Sequence, residues 1–234
     1  MNQLRAWVRR ALWDVVPRDH RQDPDGLRRR QWVTAGFVVL GAVVLGFSLR
    51  IDPGSDWFYP ATLGLAAVWA VGALASGPLH LGRIAFRAGL ARPVVTPIVL
   101  GLGLAAVFVA GAFLVRTIDA LDGLEGQVVK VVDYADQGSM LLLVVITAVN
   151  GVAEELFFRG AAYAAITRHP VLWTTLAYGV ATAATGNVML AFAAVLLGLL
   201  VGLERRASGG ILAPILTHCT WSLTMLFALP AVFA

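Results

Sequence analysis

The chain has 234 residues, of which 59% are apolar and only 14% charged, and its mean hydropathy is +0.77. A soluble domain of this length cannot hide that much apolar surface, so lipid must cover part of it. The one cysteine, Cys219, excludes an intramolecular disulfide and any cysteine-based metal motif, and its default role is that of a small core residue.

Residues 1–31 carry Arg5, Arg9, Arg10, Arg18, Arg21 and Arg28, Arg29 and Arg30 with no apolar core between them. No cleaved signal peptide is expected there, and the N-terminus is expected to be retained. Leu4, Trp7, Val8, Ala11, Leu12 and Val15 recur at helical spacing among the arginines, which predicts a basic cytoplasmic segment lying as a helix on anionic membrane lipid. A solvated tail is the alternative.

From residue 32 onward apolar runs recur at roughly 17 to 25 residues, the length that crosses about 30 Å of hydrocarbon as helix. They predict an all-α membrane domain over 32–234, a polytopic bundle of about seven transmembrane helices. The spans fall near Trp32–Leu49, Trp57–Ser76, Val94–Val115, Met140–Phe158, Val171–Thr185, Val188–Leu203 and Gly210–Phe233. The turn Thr185-Gly186-Asn187 leaves the fifth and sixth runs short, so a re-entrant pair is the alternative to the two crossings expected. The connection from Arg116 to Ser139 is the longest and has room for a short amphipathic helix.

Orientation follows from the basic residues. With the N-terminus inside, fifteen of the eighteen Lys+Arg fall on the cytoplasmic side, leaving Arg50, Arg116 and Lys130 outside with the acidic loop Asp119, Asp122, Glu125, Asp133 and Asp136. The C-terminus is then external. Basic residues divided among membrane loops speak against nucleic acid as a partner. The Arg-rich, Lys-poor composition suggests a bacterial chain, hence the bacterial cytoplasmic membrane.

Ionisable groups at membrane depth are costly and point to function. The fourth run holds the densest group. On a helix Asn150 and Glu154 share one face while Glu155 and Arg159 share the next. Glu155 can be neutralised by Arg159 as a structural pair, which turns Glu154 toward Asn150 and the bundle interior. A poorly solvated carboxylate has raised basicity and suits a general base acting on water. The bland alternative is a helix-end network at the interface.

In the last run His218 and Ser222 are four apart and face the same way, and Pro214 predicts a bend just before them. An imidazole and a hydroxyl on one face can donate to a developing oxyanion, although a lone histidine in a span also serves as a helix-to-helix hydrogen-bond partner. Between these groups lie Tyr178 and Thr182, followed by Thr185 and Asn187. The glycines Gly101, Gly103, Gly198 and Gly202 permit close helix packing, expected mostly within the chain.

Taken in order, the three segments resemble the CAAX protease and bacteriocin-processing (CPBP, or Abi) family of intramembrane proteases. That family shows Glu-Glu-x-x-x-Arg, then Phe-x-x-x-His, then His-x-x-x-Asn. The first motif matches at Glu154, Glu155 and Arg159, with Gly160 following. The second matches in outline, with Tyr178 for phenylalanine and Thr182 for histidine, and the third matches at His218 with Ser222 for asparagine. The resemblance covers residues 138–230.

It implies a helical bundle around a polar cavity, in which Glu154 activates water to cut a peptide bond, with His218, Thr182 and Ser222 as the other catalytic positions and Asn150 and Tyr178 in support. Its partner would be a membrane-protein or peptide substrate. No cofactor is expected. Zinc is disfavoured because threonine at 182 is a poor ligand, and His80 and His169 fall at loop ends. The alternatives are a catalytically silent relative that binds or stabilises a membrane partner, and a transporter, against which stands the lack of recognisable inverted repeats.

Overall fold

The computed structural model describes all residues except 1, 18–19, 21, 49–50, 52–54, 56, 87–88, 119–122, 130–138 and 234. Four of the acidic loop residues, Asp119, Asp122, Asp133 and Asp136, and the basic residues Arg18, Arg21, Arg50, Arg87 and Lys130 therefore lie outside the described residues.

The elements in order are α1 (Asn2–Leu12), α2 (Pro24–Ser48), α3 (Phe58–Ser76), a short hairpin of β1 (Ile84–Phe86) and β2 (Gly89–Ala91), and α4 (Val95–Thr117). The long connection holds a helix over 123–129, here α5. There follow α6 (Met140–Ala165), α7 (Pro170–Ala183), α8 (Val188–Ser208) and α9 (Leu212–Phe233).

Among the described residues six helices are long and apolar enough to cross a membrane: α2, α3, α4, α6, α8 and α9. The expectation of seven full spans is corrected at the fifth. There α7 has 14 residues, so it is about 21 Å long, short of the roughly 30 Å hydrocarbon core. The run Val171–Thr185 is short in the sequence too, and the helix covers nearly the same residues, Pro170–Ala183. The other helices leave Val39, Val107, Leu114 and Leu141 more than half exposed on the isolated chain, a surface that only lipid can cover.

Contacts sort the helix termini into two groups. At one end, Gln31 Nε2 donates to the Ala165 carbonyl, Arg30 to that of Pro78, and Val16 N to that of Ala207. The segment after α3 is fastened there to the α8–α9 turn: Arg83 N donates to Ser208 O, and Ile211 N and Leu212 N donate to His80 O and Leu81 O. Two backbones come this close because Gly82 and Gly210 face each other; a Cβ on Gly210 would lie 2.0 Å from Gly82 N. At the other end Asn187 Nδ2 donates to Gln127 O in α5, and Arg116 at the end of α4 donates to Val232 O near the end of α9. Although α7 is short, the chain therefore still alternates between the two ends.

The basic tail is drawn into the fold more than expected. α1 does form, but Ala11, Leu12 and Val16 are buried and Val16 pairs with the end of α8. α2 begins at Pro24 rather than near Trp32, because Pro suits a first helical position and Asp23 accepts from Gly26 N. This places Arg30 inside the bundle, 2% exposed.

The core next to the site is aromatic. Trp69 of α3 packs on Phe157 and Phe158 of α6 at ring distances of 4.6 and 5.5 Å, and Phe158 meets Tyr178 of α7 at 5.3 Å. Gly198 and Gly202 of α8 face α7 and Gly101 of α4 faces α9, so these small residues serve packing within the chain, whereas a Cβ on Gly103 would meet nothing within 4 Å.

The alternating path makes a prediction. In a Cys219→Ala background, Thr185→Cys in the α7–α8 turn and Leu90→Cys in the hairpin should react with an impermeant thiol reagent from opposite faces of a sealed vesicle. Labelling of both from one face would mean that α7 turns back within the membrane.

Candidate active site

The site is built where α6 leaves regular geometry. Residues Leu156–Ala162 form a π-helical stretch directly after Glu155. Such a stretch holds an extra residue per turn, and π-bulges recur at functional sites because they re-aim side chains and free backbone groups. Within the stretch the Arg159 carbonyl accepts from Arg205 Nε at 2.7 Å.

Glu155 and Arg159 are both 0% exposed and meet at 3.0 Å between Oε1 and Nη1. The same Oε1 lies 2.8 Å from His218 Nδ1. Arg159 also donates through Nη2 to the Gly198 carbonyl at 3.1 Å, and its guanidinium stands 5.1 Å from the centre of the Tyr178 ring. Room for that guanidinium comes from Gly198, where a Cβ would sit 3.1 Å from Nη2.

Glu154 differs from its neighbour. It stands beside His218, the Tyr178 hydroxyl meets its carboxylate, and its Oε2 is buried with no hydrogen-bond partner. Glu155 Oε2 is likewise unpartnered, but that carboxylate already meets two donors through its other oxygen. The ring of Tyr178 lies edge-on to His218 at 6.3 Å.

Three of the residues expected at the site make other contacts. Thr182 Oγ1 donates to the Tyr178 carbonyl of its own helix at 3.0 Å, and Asn150 Nδ2 donates to the Ile146 carbonyl at 2.9 Å. Both are the local back-bonds that short polar side chains make within helices. Ser222 lines a cavity of about 330 Å³ with Phe108, Met189, Leu190, Trp221 and Met225, into which none of Glu154, Thr182 and His218 opens. His218 itself is oriented by Glu155, so the carboxylate expected only as the partner of Arg159 also meets the imidazole.

One acidic residue was not anticipated. Glu204 is 1% exposed, and its Oε1 lies 2.9 Å from Thr217 Oγ1, which is also 3.0 Å from the Pro97 carbonyl. It joins α8, α9 and α4. In sequence it reads as the first member of a charged helix end, Glu204-Arg205-Arg206, and only the tertiary packing shows that it is buried.

The donor set does not fit zinc. Among the described residues no group of three or more His, Cys, Asp or Glu side chains converges as a metal ligand set. His218 Nδ1 is bonded to Glu155, the Arg159 guanidinium sits against the same oxygen, and Thr182 has turned to its own backbone.

All eight candidate residues, from Asn150 to Ser222, fall in one stretch of the chain. Residues 136–224 match the family model described as Rce1-like, type II CAAX prenyl endopeptidase Rce1-like. No curated protein and no solved structure matches the chain. The match lies over the stretch that carries the motif resemblance, and the six apolar helices among the described residues make the chain a multi-pass membrane protein.

The two carboxylates are expected to separate by stability. Glu155→Gln should cost about 3–5 kcal/mol, because it strips the charge that compensates a buried guanidinium. Glu154→Gln should cost within about 1 kcal/mol, as expected away from such a pair. Melting in detergent measures both, and equal losses would make Glu154 a structural group as well.

A second expectation concerns Glu204. One hydroxyl proton on Thr217 cannot serve both Pro97 and Glu204, so the chain of contacts closes fully when residue 204 carries a proton of its own. Glu204→Gln, which keeps donors, should melt near the wild type. Glu204→Ala should lose about 1–3 kcal/mol. The reverse order would mean that an ionised carboxylate is needed.

Proposed function

We propose that the chain is an intramembrane endopeptidase in which Glu154 activates the attacking water. The observation that carries the reading is the contrast between adjacent carboxylates: Glu155 is held by Arg159 and His218, while Glu154 Oε2 is buried, unpartnered and next to a fixed imidazole.

With Nδ1 engaged by Glu155, the remaining polar atom of His218 is Nε2. In the tautomer that donates from Nδ1, this nitrogen is an acceptor and can hold one O–H of a water whose other proton goes to Glu154. The hydroxide so formed adds to the scissile carbonyl carbon. The resulting oxyanion needs a donor, and the hydroxyl of Tyr178, which stands beside Glu154, is the side chain proposed for it. Glu154 then returns its proton to the departing amine as the C–N bond breaks, so protons balance over the cycle.

His218 is thus better suited to holding the water than to meeting the oxyanion directly. The apolar cavity beside Ser222 suits an apolar part of the substrate. The prenyl group in the family description is one such part, and an aliphatic peptide side chain is another. We further propose that the membrane is the bacterial cytoplasmic membrane and that the basic end of the bundle faces the cytoplasm, in keeping with the distribution of Lys+Arg.

A second reading, a silent scaffold that binds a membrane partner, is favoured by the back-bonded Thr182 and Asn150. Cleavage by the reconstituted full-length chain separates the two. A library of membrane-anchored peptides, including peptides with prenylated C-terminal cysteine, should be cut by the wild type. Glu154→Gln should be slower by about 10²–10⁴-fold. A folded wild type that cuts none of them, and a Thr182→His/Ser222→Asn variant that also cuts none, would give the scaffold reading the site.

A further inference from the structure

At the end of the bundle where α2 begins, a second cavity of about 310 Å³ is lined by Arg30, Arg205, His20, His80, Gln22 and Tyr163 together with backbone and apolar groups. Among the described residues its lining contains no acidic side chain. It lies beyond the π-helical stretch of α6, with Gly160 in its wall, and shares no side chain with the Glu154 site.

Arg30 is the decisive member. It is 2% exposed, its Nη2 donates to the Pro78 carbonyl at 2.9 Å, and its Nε is buried with no hydrogen-bond partner. No carboxylate among the described residues pairs with it. A guanidinium has five donors and a charge that cannot be discharged, so burying it in this state is costly unless an anion completes its shell.

The chain nevertheless builds a place for it. α3 ends at Gly77 with φ +135°, a left-handed-side conformation that favours glycine, and a Cβ there would lie 2.7 Å from Nη2. The second guanidinium, Arg205, is 7% exposed and is fixed by the Arg159 carbonyl and by the Tyr163 ring, 4.8 Å from its carbon. His20 and His80, which both line the cavity, stack directly on each other with ring centres 3.6 Å apart. Burial, then the charges of Arg205 and Arg30, push the His80 imidazole below its usual range, so both guanidinium fields reach the same space.

We propose that this cavity binds a phosphate-class anion at Arg30, supplied by the headgroup of an anionic phospholipid. A guanidinium matches phosphate oxygens through parallel N–H bonds. The lipid source follows from depth. Arg30 lies in the second turn of a helix long and apolar enough to span, and Trp32, 79% exposed two residues on, is the kind of indole that sits at headgroup level. This site goes beyond the protease reading and does not depend on it.

The test uses the full-length chain in neutral detergent, with phosphatidylglycerol, phosphatidylcholine and inorganic phosphate as probes. Binding is read by native mass spectrometry and by melting temperature. Phosphatidylglycerol should bind and stabilise the wild type, and phosphatidylcholine should do so at least about tenfold less well. Arg30→Gln should weaken phosphatidylglycerol about tenfold or more, while Arg168→Gln, which removes the same charge from an exposed position at the same end, should not.

His80→Glu tethers a carboxylate in the cavity, and should raise the melting temperature of the lipid-free protein and abolish the response to phosphatidylglycerol. It decides the matter should Arg30→Gln fail to fold. Equal stabilisation by inorganic phosphate with the same dependence on Arg30 and His80 would uphold the anion site and overturn the lipid source. Equal weakening by Arg30→Gln and Arg168→Gln, or a wild-type response from His80→Glu, would overturn the site.

Discussion

A carboxylate can be fully buried in a lipid-bounded bundle only if charge and donors reach it from the protein itself. Glu155 is such a group, and its partners come from two helices. Arg159 follows it on α6, and His218 arrives from α9. Arg159 in turn holds the Gly198 carbonyl of α8 and lies against the Tyr178 ring of α7. One ion pair thus fixes the relative register of four helices. A buried pair contributes little net stability against an apolar substitute, since desolvation offsets most of the attraction. What it supplies here is a unique arrangement, because any slip of α8 or α9 along α6 would leave a charge stranded.

That arrangement gives two neighbouring carboxylates opposite circumstances. Successive residues on a helix point about 100° apart, so a hub that captures Glu155 leaves Glu154 on a different face. The π-helical stretch begins at the next residue, and it brings Phe157 and Phe158 onto Trp69 while Arg159 still reaches back to Glu155. Packing energy from the aromatic cluster therefore holds the polar residues in place. The chemistry proposed for Glu154 depends on stiffness that its neighbours supply.

The sequence carried much of this. Apolar run lengths predicted the spans, and the four-residue spacing of Glu155 and Arg159 anticipated a contact that needs only local helix geometry. Where it fell short, the missing information was tertiary. Nothing local says that His218, 63 residues away, selects Glu155 over Glu154, or that Glu204 turns inward from a charged helix end. The π stretch is also invisible to a regular 3.6-residue periodicity. Arg30 shows the same limit: inside an arginine run it reads as one more lipid-facing cation, and only Gly77 and Pro78 of another helix end make it a buried one.

Thr182 joins the local and the tertiary arguments. Its hydroxyl has a ready acceptor four residues back, the Tyr178 carbonyl, and a threonine in a membrane helix takes that bond because no water competes for it. The side chain is thereby satisfied without reaching the Glu154 carboxylate, whose Oε2 is left with no protein partner. The protein groups left beside that carboxylate are the Tyr178 hydroxyl and the His218 imidazole, the latter already oriented by Glu155.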